Sequence, residues 1–202
     1  MSTEVIHDQT LSSAERRAAV DQGAPLLAFD LGRTTGWAVR FADGNYLSGV
    51  WRLRGPNATL EGAGMVYLQF HRFLTKLLDT AQPALVVYEG VRFFKGADAA
   101  RMYGGLFGQL TALLEARQIP YMAVPPSVVK KHATGSGKAN KTLMVERAEA
   151  RWPGFEPETD DEADARWIAS YGACASGAAE RVPHAPGRGR GSAANPGQFG
   201  RA

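Results

Sequence analysis

The chain has 202 residues, enough for one sizeable core, and its hydrophobic content of 45% lies in the range of globular domains. No apolar run could span a membrane, no N-terminal signal pattern appears, the single cysteine (Cys174) excludes an internal disulfide, and the four histidines lack zinc-ligand spacing. The formal charge is +3, but Arg181, Arg188, Arg190 and Arg201 stand in a C-terminal stretch without acids, so the rest of the chain is close to neutral. An intracellular, cytoplasmic protein is expected, with no membrane partner, and any metal should be held by carboxylates.

Residues 1–23 are polar and lack a buried pattern; "SSAERRAAV" reads as a frayed helix. Residues 179–202 are rich in Gly, Pro and Arg and are expected to be disordered, since such a composition buries too little apolar surface to offset chain entropy. One folded domain is therefore expected over 24–178. Within it "PLLAFD", "GWAVRF" and "YLSGVWRL" read as three successive antiparallel strands, with Asp43-Gly44 as a hairpin signal. A helix is predicted from about Thr59 to Asp79, with Val66, Phe70, Phe73, Leu74, Leu77 and Leu78 on one face. "ALVVYEG" is a buried strand, "ADAARMYGGLFGQLTALLEARQ" a second helix and "IPYMAV" a fifth strand. Gly104 and Gly108, four apart in that helix, would let another element approach closely. Further helices are predicted over 141–151 and 160–176. The class is α/β, a five-stranded mixed sheet flanked by helices.

Between the fifth strand and those last helices lies "HATGSGKANKT", which looks like a nucleotide-phosphate loop. The strict loop is a glycine, four residues, then Gly-Lys followed by Ser or Thr. Here Gly137-Lys138 is followed by Ala139, and His132 stands where the first glycine belongs. The preceding "PSVVKKHAT" reads as a short helix, with Pro126 near its start and Ser127 able to cap it, rather than as a strand. The nucleotide reading is rejected, and by itself the segment reads as a surface turn between helices.

Four acids carry the chemistry. Asp30 and Glu89 each end a strand, and Asp161 and Asp164, three apart, share one face of the last helix. Singly, each is an ordinary turn residue or an acid complementing a helix dipole. Strand ends in α/β sheets gather at one edge, however. Four carboxylates there would repel unless divalent cations neutralised them, and two such ions can activate water and stabilise a leaving oxygen.

Four segments in order, "FDLGRTTGWAV", "VVYEGVRFFKGADAARMYGGLFGQL", "SVVKKHATGSGKANK" and "DEADA", resemble the RuvC family of Holliday junction resolvases, of RNase H-like fold, over about residues 25–176. The resemblance implies a metal-dependent endonuclease acting on four-way or other branched DNA in the nucleoid of a bacterial or phage-infected cell, as a homodimer. It implies that Asp30, Glu89, Asp161 and Asp164 hold two magnesium ions, for which manganese can substitute; Asp160 and Glu162 fit that spacing less well. It places Lys141 and Lys130 near the scissile phosphate and DNA backbone. Gly135, Gly137 and Lys138 then touch DNA phosphates. An aromatic shortly after the second acid stacks on a base, and Phe93 and Phe94 both qualify because Arg92 shifts the alignment by one residue. The Gly104–Gly108 helix becomes a dimer-interface element. The N-terminal extension and Arg-Gly tail depart from the family pattern. Members carried by bacteriophages act on branched DNA more broadly than cellular ones, so junction selectivity stays open.

Two other readings remain. "DLGRTTG" also resembles the Asp-x-Gly-x-Thr phosphate turn of actin-like ATPases and sugar kinases, although such proteins need a second domain and a second phosphate loop. A catalytically silent DNA-binding module is the other; the presence of all four acids argues against it.

Overall fold

The computed structural model describes residues 24–54, 64–94 and 96–176. The expected extensions at 1–23 and 179–202, and the expected first turn of the first helix near Thr59, lie outside the described residues. The elements are β1 (Leu26–Asp30), β2 (Thr34–Arg40), β3 (Tyr46–Arg52), α1 (Met65–Ala81), β4 (Leu85–Glu89), α2 (Ala97–Ala116), β5 (Tyr121–Val124), α3 (Pro126–Thr134), α4 (Lys141–Arg151) and α5 (Asp160–Ser176). The strands form one mixed sheet in the order β3-β2-β1-β4-β5. The β1–β2 and β2–β3 pairs are antiparallel, while β1–β4 and β4–β5 are parallel. This is the five-stranded α/β arrangement the sequence predicts.

The chemistry of the strands explains why both sheet faces are covered. β1 and β4 are nearly continuous apolar runs, as strands buried on two sides must be. Their side chains alternate between two cores. Leu26, Ala28, Leu85 and Val87 pack with Val129, Met144, Trp167 and Ile168 on the face covered by α3, α4 and α5. Leu27, Phe29, Val86 and Tyr88 pack with Phe70, Leu74, Leu106 and Leu110 beneath α1 and α2. The same alternation fixes the two strand-end acids. Asp30 continues the phase of Leu26 and Ala28, and Glu89 that of Leu85 and Val87. Both therefore belong to the face that α5 covers.

The hairpin signal is realised: Gly44 has φ +87°, and the Asp43 carboxylate accepts hydrogen bonds from the Asn45 backbone N–H and side-chain amide, at 2.9 and 2.6 Å. Three local expectations change. In α1 the buried stripe is Val66, Phe70, Leu74 and Leu78. Phe73 lies off that stripe, 41% exposed, and meets the ring of Trp51 at 5.5 Å. Ser127 does not cap α3; Pro125 is the N-cap residue, without a side-chain bond, and Pro126 occupies the first helical position, where a missing N–H costs nothing. In α2 the close intramolecular approach is at Gly105, where an added Cβ would fall 2.2 Å from the Tyr67 ring, whereas Gly104 and Gly108 face open space.

Candidate active site

β1 and β4 are parallel neighbours, and Phe29 pairs with Tyr88. One residue further along, Asp30 and Glu89 leave the same sheet edge side by side. The third and fourth acids arrive from above. Helix α5 begins over β2, where Gly36 pairs with Asp30 across the ladder. A Cβ on Gly36 would lie 1.9 Å from the Asp161 carbonyl oxygen and 2.5 Å from its carbon. These are backbone atoms of the first turn of α5 and cannot rotate aside. Only glycine at this position lets that turn rest on the sheet and bring Asp161 and Asp164 over Asp30. Ala163, Ala165, Ile168 and Ala169, all buried, carry the same contact down the helix.

The electrostatics record how close the acids are. Burial pushes the Asp30 carboxyl well above the usual carboxylate range, and the charges of Glu89, Asp164 and Asp161 push it further. Burial and then Asp164 raise Glu89 to about 7. Burial raises Asp164 to about 6, with Lys141 opposing and Asp160 and Asp161 adding to the rise. Asp161 moves up for the same reason, burial first. One oxygen of Asp164, Oδ1, is buried without a hydrogen-bond partner. A buried, unpaired carboxylate oxygen is costly, which leaves room for a ligand that the polypeptide does not supply. Among the described residues no three His, Cys, Asp or Glu side chains are grouped closely enough to hold a metal ion as they stand. The fit to a divalent cation rests on the oxygen-only donor set, the mutual repulsion and the unpaired oxygen.

The neighbouring acids are accounted for separately. Glu162, 7% exposed, accepts hydrogen bonds from Ser48 Oγ at 2.6 Å and from the Glu158 backbone N–H at 2.8 Å, so both its oxygens are taken up structurally. Asp160 pairs with Lys141. That ion pair, together with the charges of Asp161 and Asp164, raises the Lys141 ammonium above its ordinary value. Lys130 lowers Glu89 and Asp164 and so belongs to the same rim. The glycine loop leaves the end of α3 rather than a strand. Gly135 closes that helix in the left-handed region at φ +82°, and the Asn140 side chain caps α4 by accepting from Leu143 N–H at 2.9 Å. Lys138 is exposed beyond the cap; Gly137 packs against the Ser127 carbonyl, 3.0 Å from where a Cβ would stand.

A cleft of about 470 Å³ opens beside Asp30 and Glu89, lined also by Arg33, Val91, Phe94 and Tyr103. The two aromatics left open by the sequence differ here. Phe93 is 91% exposed, whereas Phe94 packs on the Tyr103 ring at 5.0 Å. Arg92 is exposed beside them. Arg33, Gly36 and Tyr103 are site residues the sequence reading misses. Arg33 directly follows the quoted Asp-Leu-Gly and could have been found from that adjacency. The other two depend on tertiary packing and carry no local signal.

No protein-family model matches the chain. Among curated proteins it is 33% identical over 161 residues to the crossover junction endodeoxyribonuclease RuvC of Rhodopseudomonas palustris, an alignment covering 78% of this chain and 91% of that protein. It is 31% identical over 157 residues to the RuvC of Nitrobacter hamburgensis, covering 76% and 91%. Among solved structures, T. thermophilus RuvC in complex with a Holliday junction substrate superposes with a TM-score of 0.62 at 20% identity, over 77% of this chain and 97% of that one. The yeast mitochondrial Holliday junction resolvase Ydc2 gives 0.55 at 17% identity, over 81% and 85%.

Two outcomes are expected. The Glu89 and Asp164 carboxyls bind protons more tightly folded than unfolded, so without metal they destabilise the fold as pH rises from about 4.5 through about 7. Urea unfolding in EDTA should show stability falling over that range, with manganese restoring it at pH 8 and Glu89→Gln flattening the profile. A level profile for the wild type would mean the acids are not in conflict. Secondly, Gly36→Ala should move the first turn of α5, costing about 1–3 kcal/mol and weakening manganese binding roughly tenfold or more by calorimetry. Unchanged metal affinity in the folded variant would separate the glycine from the acids.

Proposed function

The chain belongs to the RuvC family of crossover junction endodeoxyribonucleases, and from that premise we propose that it cuts four-way DNA junctions by hydrolysing one phosphodiester in each of two strands, using divalent metal ions. The observation that carries this reading is the convergence of four mutually repelling carboxylates from β1, β4 and α5, one of them with a buried unpaired oxygen. Asp30, Glu89, Asp161 and Asp164 would hold two magnesium ions, or manganese in their place. The metal would supply activation of water and stabilisation of the leaving oxygen.

The remaining roles fall to the chain's own residues. Lys141 stands at the first position of α4, where the helix dipole disfavours a cation. Its charge is directed to the acid cluster and is suited to the negative charge that builds on phosphate oxygens during attack. Lys130 shares the rim, while Lys138 with Gly135 and Gly137 forms an outer DNA-backbone contact, and Arg92 another. Phe93 is the aromatic presented to a base, while Phe94 packs inward on Tyr103. The DNA is held as a duplex-rich junction by a homodimer. Its interface would lie on α2, a reading supported by Gly104 and Gly108, which face open space, and by a groove of about 650 Å³ between α1 and α2 lined by Tyr67, Leu68, His71 and Leu113. The kinase-like alternative loses support in the β1–β2 turn itself. There Thr34, the threonine of the Asp-x-Gly-x-Thr pattern, opens β2 directly, and the described residues form one five-stranded sheet rather than the two domains such proteins need.

Cleavage of a synthetic four-way junction, with three-way, flap and linear duplex DNA alongside, tests the reading. Asp30→Asn should abolish cleavage while leaving junction binding in calcium within about threefold of wild type. It should also raise metal-free stability at pH 8, because one repelling charge is gone. Cleavage by this variant at the wild-type rate would remove Asp30 from the chemistry and the reading with it. Phe93→Ala should weaken base engagement by ~1–3 kcal/mol without altering urea unfolding, since the ring makes little contact with the fold. Phe94→Ala should show the converse, a loss of stability. The two variants behaving alike would mean that neither ring is singled out for DNA.

A further inference from the structure

The ladder between β1 and β4 ends at Phe29 and Tyr88. Beyond it, the Glu89 backbone is held on one side by β5, where Glu89 pairs with Val124 and the Gly90 N–H donates to the Val124 carbonyl at 2.8 Å. On the other side no strand continues. Its place is taken by one side chain from α2. The Tyr103 hydroxyl donates to the Glu89 carbonyl oxygen at 2.8 Å and accepts from the Val91 N–H at 3.4 Å. The two bonds bracket Gly90, a residue that otherwise gives the chain freedom to swing. The Tyr103 ring meets Phe94 at 5.0 Å and stacks on Phe107 at 6.1 Å with planes 8° apart. The phenol is half-buried and, through burial first, held above its ordinary pKa. A phenol hydroxyl can donate and accept at once, as these two bonds require.

We infer that Tyr103 is a positioning residue that clamps the Glu89 strand end and the Val91–Phe94 segment to α2 as one unit. A base met by Phe93 and the carboxylate of Glu89 are then kept at a fixed separation. This rests on the nuclease reading above and adds a link between base engagement and the acid cluster. A tether of this kind acts on placement. Errors on the order of 1 Å in placement cost up to about a hundredfold in rate.

Tyr103→Phe keeps the ring and removes both hydrogen bonds. The single-turnover cleavage rate at saturating protein is expected to fall about tenfold, with junction affinity in calcium changed less than about twofold. Amide exchange at Val91 should speed up severalfold, while exchange in β1 and α5 and the urea midpoint stay near wild type. A wild-type cleavage rate in the variant would overturn the proposal, as would unchanged Val91 exchange. A rate loss accompanied by an equal acceleration of exchange throughout the fold would also overturn it, by making the tyrosine a general packing residue. Wild-type protein that cuts no junction would sink the nuclease reading instead, and the exchange measurement would then decide the clamp alone.

Discussion

Like-charge repulsion among Asp30, Glu89, Asp161 and Asp164 is the constraint around which the domain is arranged. Their shifts arise first from burial; Glu89, Asp164 and Asp161 then add to that of Asp30, Asp164 to that of Glu89, and Asp160 to those of Asp161 and Asp164, with Lys141 opposing. At roughly 1.4 kcal/mol per pK unit, the cluster opposes folding by a few kcal/mol at neutral pH when no cation is present. That is a considerable fraction of the 5–15 kcal/mol by which a domain is ordinarily stable. A chain that accepts such a penalty must secure its core elsewhere. The two apolar clusters on either face of β1 and β4 do this, with Phe29, Phe70, Leu110 and Ile168 fully buried.

The core also determines where the charges stand. Helix α5 is built largely of small residues on its buried side, and Gly172 is packed so closely that an added Cβ would lie 2.6 Å from the Val87 side chain. At the other end Gly36 gives the same closeness beneath Asp161. The helix is thus seated on the sheet at both ends by absent side chains. Its acids inherit the rigidity of that contact. Lys141 reaches them from a different helix, and its pairing with Asp160 orients it toward the cluster. Such an exposed pair contributes little stability, so its value lies in placing a cation where the dipole of α4 disfavours one.

Much of this was legible in the sequence, for identifiable reasons. The succession of elements and the convergence of Asp30 with Glu89 follow from apolar runs that end in acids, because alternation and a shared sheet edge leave those side chains few places to go. The i, i+3 spacing of Asp161 and Asp164 likewise survives into the helix. What was not legible depends on residues distant in sequence. That Gly36 lies under Asp161, that Gly105 rather than Gly104 or Gly108 meets a neighbouring helix, and that Tyr103 reaches back to Glu89 are consequences of docking. Phe73 illustrates the reverse error: helical spacing put it on the apolar face, but the buried stripe runs through Phe70 and Leu74, and Phe73 sits at its margin against the Trp51 ring. Phe93 and Phe94 could not be ranked from sequence because adjacent residues differ only in which way the segment turns.

The glycine-lysine stretch shows how one composition can serve a different purpose from the motif it imitates. In a nucleotide loop the glycines allow backbone N–H groups to cradle phosphate after a buried strand. Here Gly135 terminates one helix and Asn140 starts the next, so the turn is spent on reversing the chain. That reversal places Lys141 at the start of α4, facing the acids, and leaves Lys138 outside them. Two lysines three residues apart are thereby set at different distances from the acid cluster. The helix cap between them, rather than any phosphate cradle, makes the distinction.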